Sequence, residues 1–245
     1  MSRILVIAGT DSSGGAGLSR DIAMATSLKC SVAPVVTAVT VQTNQALRAI
    51  HPVPPEVISS QITAAFDPGG QIPRAIKIGM IGTAEAATCL ADSLPAGVPI
   101  VLDPVFKSSS GGELMSAQSL APLLSRVTLL TPNLEECARL SDCAPALGVT
   151  PDLDGMRHQA DQILARGVAA VLIKGGHAQG AQSTDHLFTA QTHHAFSAPR
   201  LPHGKRGTGC SLATALACAL AQGANLTEAC HSAKASLQTW LAQVA

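Results

Sequence analysis

"RILVIAGTDSSGGAGLSRD", residues 3–21, opens with five consecutive apolar residues, Ile4 to Ala8, and then breaks into glycines. A run without polar alternation cannot face solvent on one side, so it predicts a strand buried on both faces. Past the glycine-rich loop, residues 16–29 read as a helix. Strand, loop and helix in that order begin a βαβ unit, and the rest of the chain repeats the alternation.

"APVVTAVTVQ" (33–42) predicts the second strand, and Pro54-Pro55 introduces a helix over 55–66. "RAIKIGMIG" (74–82) reads as strand, 83–94 as helix, and "PIVLDPV" (99–105) as strand. "VTLLTPN" (127–133) stops at Pro132, where Asn133 is placed to cap a helix over 134–141. A helix over 152–166, the strand "AAVLIKGG" (169–176) and two short strands in "TDHLFTAQTHHAFSA" (184–198) follow. Helices over 209–222 and 226–243 close the chain. Strands alternating with helices predict an α/β fold, a three-layer α/β/α sandwich around a mostly parallel sheet. With no repeat or dividing linker, residues 1–245 read as a single domain.

Composition narrows the function. The chain is 47% apolar with zero formal net charge, one Trp and no Tyr. That argues against disorder and against a basic, aromatic-laced nucleic-acid surface. Seven cysteines without CxxC spacing form neither a disulfide framework nor a zinc site, and suit a reducing compartment. The amino-terminal apolar run is too short for a signal peptide, and no segment reaches about 18 apolar residues. The expectation is a cytoplasmic protein without membrane or nucleic-acid partners.

Ligands of parallel sheets bind beyond the carboxyl ends of the strands. There the sequence gathers Gly9-Thr10-Asp11, Gln42-Thr43-Asn44, Asp103, Asn133 with Glu136, and Lys174-Gly175-Gly176. Gly207-Thr208-Gly209-Cys210 joins them ahead of the helix over 209–222. Glycines at a helix start let backbone N–H groups approach an anion, and the helix dipole adds positive charge. The same field lowers the pKa of a thiol, so Cys210 reads as nucleophile, as base, or simply as a small packing residue. Asp103, Asn133 and Glu136 offer the oxygen ligands Mg²⁺ prefers, and Lys174 asks for an anionic partner. No Walker A loop is present. The histidines, His193 and His194 among them, read as surface or packing residues.

Seven stretches in register carry a resemblance: "IAGTDSSGGAGLSRD", "VTAVTVQTN", "IKIGMIG", "VLDPV", "LLTPNLEE", "VLIKGGH" and "GTGCSLATALA". Together the chain resembles the hydroxymethylpyrimidine/phosphomethylpyrimidine kinases of thiamine biosynthesis, ribokinase-like proteins that use ATP and Mg²⁺. The resemblance implies that Cys210 acts as base or orienting group for the substrate hydroxyl, where most ribokinase-like enzymes carry aspartate. It implies an anion hole of Gly207, Thr208, Gly209 and Cys210, with Lys174 neutralising phosphate. Asp103, Asn133 and Glu136 would organise Mg²⁺ and the nucleotide phosphates. Gln42, Asp21, Gly9 and Met80 would form the pyrimidine pocket, and Thr184-Asp185 would lie near the nucleotide. A homo-oligomer, a dimer, is the implied assembly.

The chain departs from that family's pattern at Arg206, which stands where a histidine is common. It departs again at Ser109-Ser110-Gly111, which stands in place of Lys-Ser-Gly, with Lys107 two residues early. Two competing readings remain open in the sequence: a pyridoxal or pyridoxine kinase of the same cysteine type, and a pyrimidine-binding protein without turnover.

Overall fold

Strand β1 (Arg3–Asp11) lies inside the sheet and is sealed on both faces. Leu5 and Ile7 enter one hydrophobic core, while Ile4 and Val6 enter the other. This is the two-sided burial that the unbroken apolar run requires. The computed structural model describes residues 1–107, 114–143, 151–176, 180–202 and 204–243. The Ser109-Ser110-Gly111 departure and the histidine closing "VLIKGGH" lie outside the described residues.

Strand β1 is flanked by two parallel strands, β2 (Ser31–Gln42) on one side and β4 (Ala75–Ile78) on the other. Beyond β4 follow β5 (Ile100–Leu102), β6 (Leu129–Leu130) and β7 (Val171–Ile173), all parallel. The hairpin of β8 (Gln182–Phe188) and β9 (His193–Pro199) adds two antiparallel strands at that edge. At the opposite edge β3 (Leu47–Pro52) pairs antiparallel with β2. Among the described residues the strand order is β3-β2-β1-β4-β5-β6-β7-β8-β9. The chain leaves β1 in one direction for β2 and returns across it to β4. This reversal opens a crevice at the carboxyl ends of the strands.

Helices cover both faces, giving the three-layer sandwich. One layer holds α1 (Gly17–Ser27), α7 (Thr208–Ala221) and α8 (Leu226–Ala242). The other holds α2 (Pro55–Ala65), α3 (Ala84–Ser93), α4 (Ala121–Leu124), α5 (Leu134–Leu140) and α6 (Leu153–Leu164). Helix α7 is buried without interruption from Ser211 to Ala219. It packs against α1, α8 and the sheet, and its Ala, Ser, Thr and Cys side chains let all three approach closely.

The sequence did not anticipate β3, nor α4 with the 3-10 turn Gln118–Leu120 that leads into it. Strand β3 lies at the sheet edge with Arg48 and His51 exposed, so it carries no clean apolar alternation. Several strands are also shorter than their apolar runs. The ladder stops at Ile78, Leu102 and Leu130, and the chain beyond continues through Gly79, Pro104 and Pro132. The polar residues that follow are left at the rim.

Candidate active site

Along the rim, the sheet order converts separated sequence motifs into one row. Gln42 ends β2, Gly9–Asp11 end β1, Met80 follows β4, Asp103 follows β5, Asn133 follows β6 and Lys174 follows β7. All of them line one cavity of about 840 Å³, together with Glu136, Asp185 and Gly207–Cys210. Two residues expected there are placed elsewhere. Asp21 is fully buried in α1 behind the wall, and Thr184 pairs outward with Ser197 at 2.8 Å. Strand alternation gives the reason for Thr184, since its neighbours Ser183 and Asp185 face the cavity.

Two glycine loops nest at the centre. Gly207, at φ 76°, caps α7, and a Cβ there would come within 2.5 Å of the Gly15 carbonyl oxygen. Gly17, at φ 58°, would clash with the Gly9 carbonyl if it carried a side chain. Both need glycine for conformation and for closeness. No side chain caps α7 at Gly207. Its first-turn N–H groups therefore have no side-chain acceptor, the usual setting for an anion.

Lys174 stands between two carboxylates, with Nζ 2.7 Å from Asp103 Oδ1 and 3.7 Å from Glu136 Oε2. Burial alone would push its pKa down, but Asp103 and Glu136 hold it above the usual lysine range. Glu136 is pushed up to about 7, chiefly by burial and further by the charge of Asp103, against the pull of Lys174. Asn133 and Glu136 form a reciprocal capping box: the Glu136 N–H donates to Asn133 Oδ1 at 2.9 Å, and the Asn133 N–H to Glu136 Oε2 at 2.7 Å.

This oxygen donor set is compatible with Mg²⁺. Among the described residues no three carboxylates, histidines or cysteines gather into a cage. Two carboxylates that crowd each other suit a cation completed by phosphate and water. Asn133 is the least available of the three, since its oxygen already accepts the cap bond.

Cys210 opens α7, partly buried in the wall. Its thiol is pushed up to about 11, mainly by burial, with Asp21 and Asp103 adding to the rise. Lys77 and the Gly17 N–H pull the other way. Burial beside carboxylates thus sets this pKa above the ordinary thiol range, opposite to the lowering expected from the helix start. Lys77 escaped the sequence reading altogether. It is fully buried in β4, with Nζ 2.7 Å from Asp21 Oδ2, and it lines the cavity. The Thr214 hydroxyl, one turn after Cys210 on the same helix face, donates to Asp21 Oδ1 at 2.8 Å. A lone lysine inside "AIKIG" was the available signal, because a buried ammonium demands a counter-ion.

Toward β8 the cavity is bounded by Asp185, which accepts the Gly175 N–H at 2.9 Å and pairs with Lys234 at 2.8 Å. Lys234, on α8, gave no sequence signal, since tertiary packing decides which helix face meets the cavity. Ahead of α7, Lys205 lies 5.3 Å from the ring centre of Trp240, whose other neighbour is the Arg20 guanidinium at 4.9 Å. Lys107, to which no role was assigned, also reaches the cavity and pairs with Glu135 at 2.9 Å.

The sheet order and the polar groups along one rim fit the ribokinase-like fold. Comparison with known proteins narrows the class. The family model for phosphomethylpyrimidine kinase matches residues 11–244, and the chain belongs to that family. A hydroxymethylpyrimidine/phosphomethylpyrimidine kinase of Rhizobium meliloti (strain 1021) is 37% identical over 244 residues, 95% of this chain and 88% of that one. The pyridoxal kinase of Staphylococcus aureus, solved in complex with AMP-PCP and pyridoxal, superposes with a TM-score of 0.83 at 30% identity. That match covers 97% of this chain and 87% of that one. The phosphomethylpyrimidine kinase of Clostridium difficile 630 gives a TM-score of 0.78 at 29% identity, over 98% and 100% of the two chains. Among the described residues no helix is long and apolar enough to cross a membrane.

Proposed function

We propose that this chain transfers the γ-phosphoryl group of ATP to 4-amino-5-hydroxymethyl-2-methylpyrimidine, to its monophosphate, or to both, in thiamine biosynthesis. The observation that carries the reading is the ordered row within one cavity. Gln42 lies toward the β2 side, Asp185 and Lys234 toward the β8 side, with Lys174, Cys210 and the nested glycine loop between. The family match and the Rhizobium relative support the pyrimidine as substrate. The nucleotide complexes of the Staphylococcus kinase support ATP.

The Gln42 amide offers a donor and an acceptor side by side to the aminopyrimidine edge. Cys210 takes the proton of the hydroxymethyl group as the new P–O bond forms. The thiolate that accepts it is stabilised by the Lys77 charge and the Gly17 N–H. The N–H groups of Gly207–Cys210 and the Lys174 ammonium gather the charge that spreads over the transferring phosphoryl oxygens. Asp103 and Glu136 would hold Mg²⁺, which when bound screens the phosphate charge. The seven free cysteines support a cytoplasmic setting.

A pyridoxal kinase is the second reading, favoured by the close superposition on the Staphylococcus enzyme. Both substrates are heteroaromatic rings with a hydroxymethyl group, and Cys210 chemistry serves either. Turnover with Mg²⁺ and ATP, offering hydroxymethylpyrimidine, its monophosphate and pyridoxal side by side, decides between them. The pyrimidines are expected to turn over well ahead of pyridoxal. A preference for pyridoxal moves the enzyme to the second reading, and silence on all three leaves a binding protein without turnover.

A further inference from the structure

Arg206 immediately precedes the anion loop, yet its guanidinium is engaged elsewhere. Nη1 donates to Ser13 Oγ and to Asn44 Oδ1, each at 2.8 Å, and Nη2 donates to Asp11 Oδ2 at 3.2 Å. These partners belong to two loops, the β1–α1 loop and the β2–β3 turn. Neither loop is adjacent to residue 206 in sequence.

Between those contacts lies the residue proposed to read the ring. The Ser12 hydroxyl donates to the Gln42 carbonyl at 2.8 Å and accepts the Gln42 N–H at 2.8 Å. Gln42 is thus bonded to the β1–α1 loop on one side and followed two residues later by Asn44. Asp11 is saturated within its own loop, accepting from the Ser13 N–H, the Ser13 hydroxyl and the Ala16 N–H. These bonds join the two loops to each other, and Arg206 adds a side-chain tie from both of them to the phosphate-binding side.

We infer that Arg206 is the latch of the ring pocket, a positioning residue that sets ring affinity by fastening both loops to the start of the anion loop. This rests on the kinase reading above. Three of its N–H groups go to loop acceptors and its Nε is buried without a partner, so the contacts present tie Arg206 to the ring-pocket loops, although arginine beside a phosphate loop suggests a phosphate ligand. The latch needs a planar fork with several donors, so a single ammonium cannot replace it.

The test is steady-state kinetics with whichever ring alcohol the wild-type chain turns over. Arg206→Ala is expected to raise KM for the ring about tenfold or more, with kcat changed less and KM for ATP unmoved. Arg206→Lys is expected to resemble the alanine variant. Asn44→Ala, a change at an exposed turn, is expected to raise the same KM by a smaller factor. Combined with Arg206→Ala it should add nothing, because the shared contact is already gone. A fall in kcat or a rise in KM for ATP with ring KM intact would make Arg206 a phosphate ligand and overturn the latch. So would full additivity of the two changes. An inactive wild-type chain would instead refute the kinase reading, before any variant is compared.

Discussion

Two lysines of this molecule each hold a carboxylate at 2.7 Å, and the two pairs behave differently. Lys77 and Asp21 are both completely sealed from solvent, whereas Lys174 keeps 14% of its side chain open beside Asp103. The sealed pair is held further by the Thr214 hydroxyl on Asp21 and supplies a positive charge beside Cys210. The open pair has a second carboxylate, Glu136, within 3.7 Å and a cavity in front of it. Contact distance therefore says nothing of role here. Access decides which lysine meets a substrate and which one holds the wall in place.

The largest effect is expected at the sealed pair and falls on stability. Lys77→Met leaves Asp21 buried and uncompensated, which costs about 3–5 kcal/mol. The Tm measured by calorimetry should drop, and a companion Asp21→Leu change should recover much of it. Equal Tm values for wild type and Lys77→Met would erase the distinction between the pairs. At the open pair, which borders the cavity, Lys174→Ala should lower Tm less than Lys77→Met but lower kcat by about 10²–10³, the size of one lost charge-stabilising donor. A large fall in Tm there would turn Lys174 into a structural residue.

Cys210, which sits between the two lysines, sharpens the comparison with a smaller effect. Cys210→Ala should cost about a hundredfold in kcat if the sulfur takes the proton. The sign with pH follows from the raised pKa. A thiol pushed up to about 11 is protonated at neutral pH, and its thiolate fraction grows as pH rises. The kcat/KM for the ring alcohol should therefore climb across the alkaline range in wild type and stay flat in Cys210→Ala. A flat wild-type profile would leave Cys210 an orienting hydrogen-bond partner.

Much of this was legible in the sequence, for physical reasons. Strands covered on both faces must be unbroken apolar runs; β4, β5, β6 and β7 run into a glycine or proline that fixes where polar side chains emerge, while β2 ends at the polar Gln42-Thr43-Asn44. The rim row from Gln42 to Lys174 follows from those ends. What escaped depends on direction or on distant partners. Thr184 and Asp185 are adjacent on a strand, so only one of them can face the cavity, a constraint present in the sequence but not applied. Asp21 lies behind the pocket because the buried Lys77 claims it as counter-ion, a pairing that only the fold reveals. The partners of Arg206 at positions 11, 13 and 44 are brought to it only by the folded loops. The pKa of Cys210 depended on burial, which helix position alone does not reveal.

The chain contains one tryptophan and no tyrosine, and that indole is held between Arg20 of α1 and Lys205 beside the latch. Lys205 also donates to the Trp240 carbonyl at 3.1 Å, so ring and loop are mechanically joined. Emission from the whole protein is consequently a single-residue signal, with cations on α1 and just ahead of the anion loop as its neighbours. A fluorescent reporter thus stands beside the phosphate-binding loop. Rapid mixing with nucleotide can read the surroundings of that loop in the unlabelled enzyme.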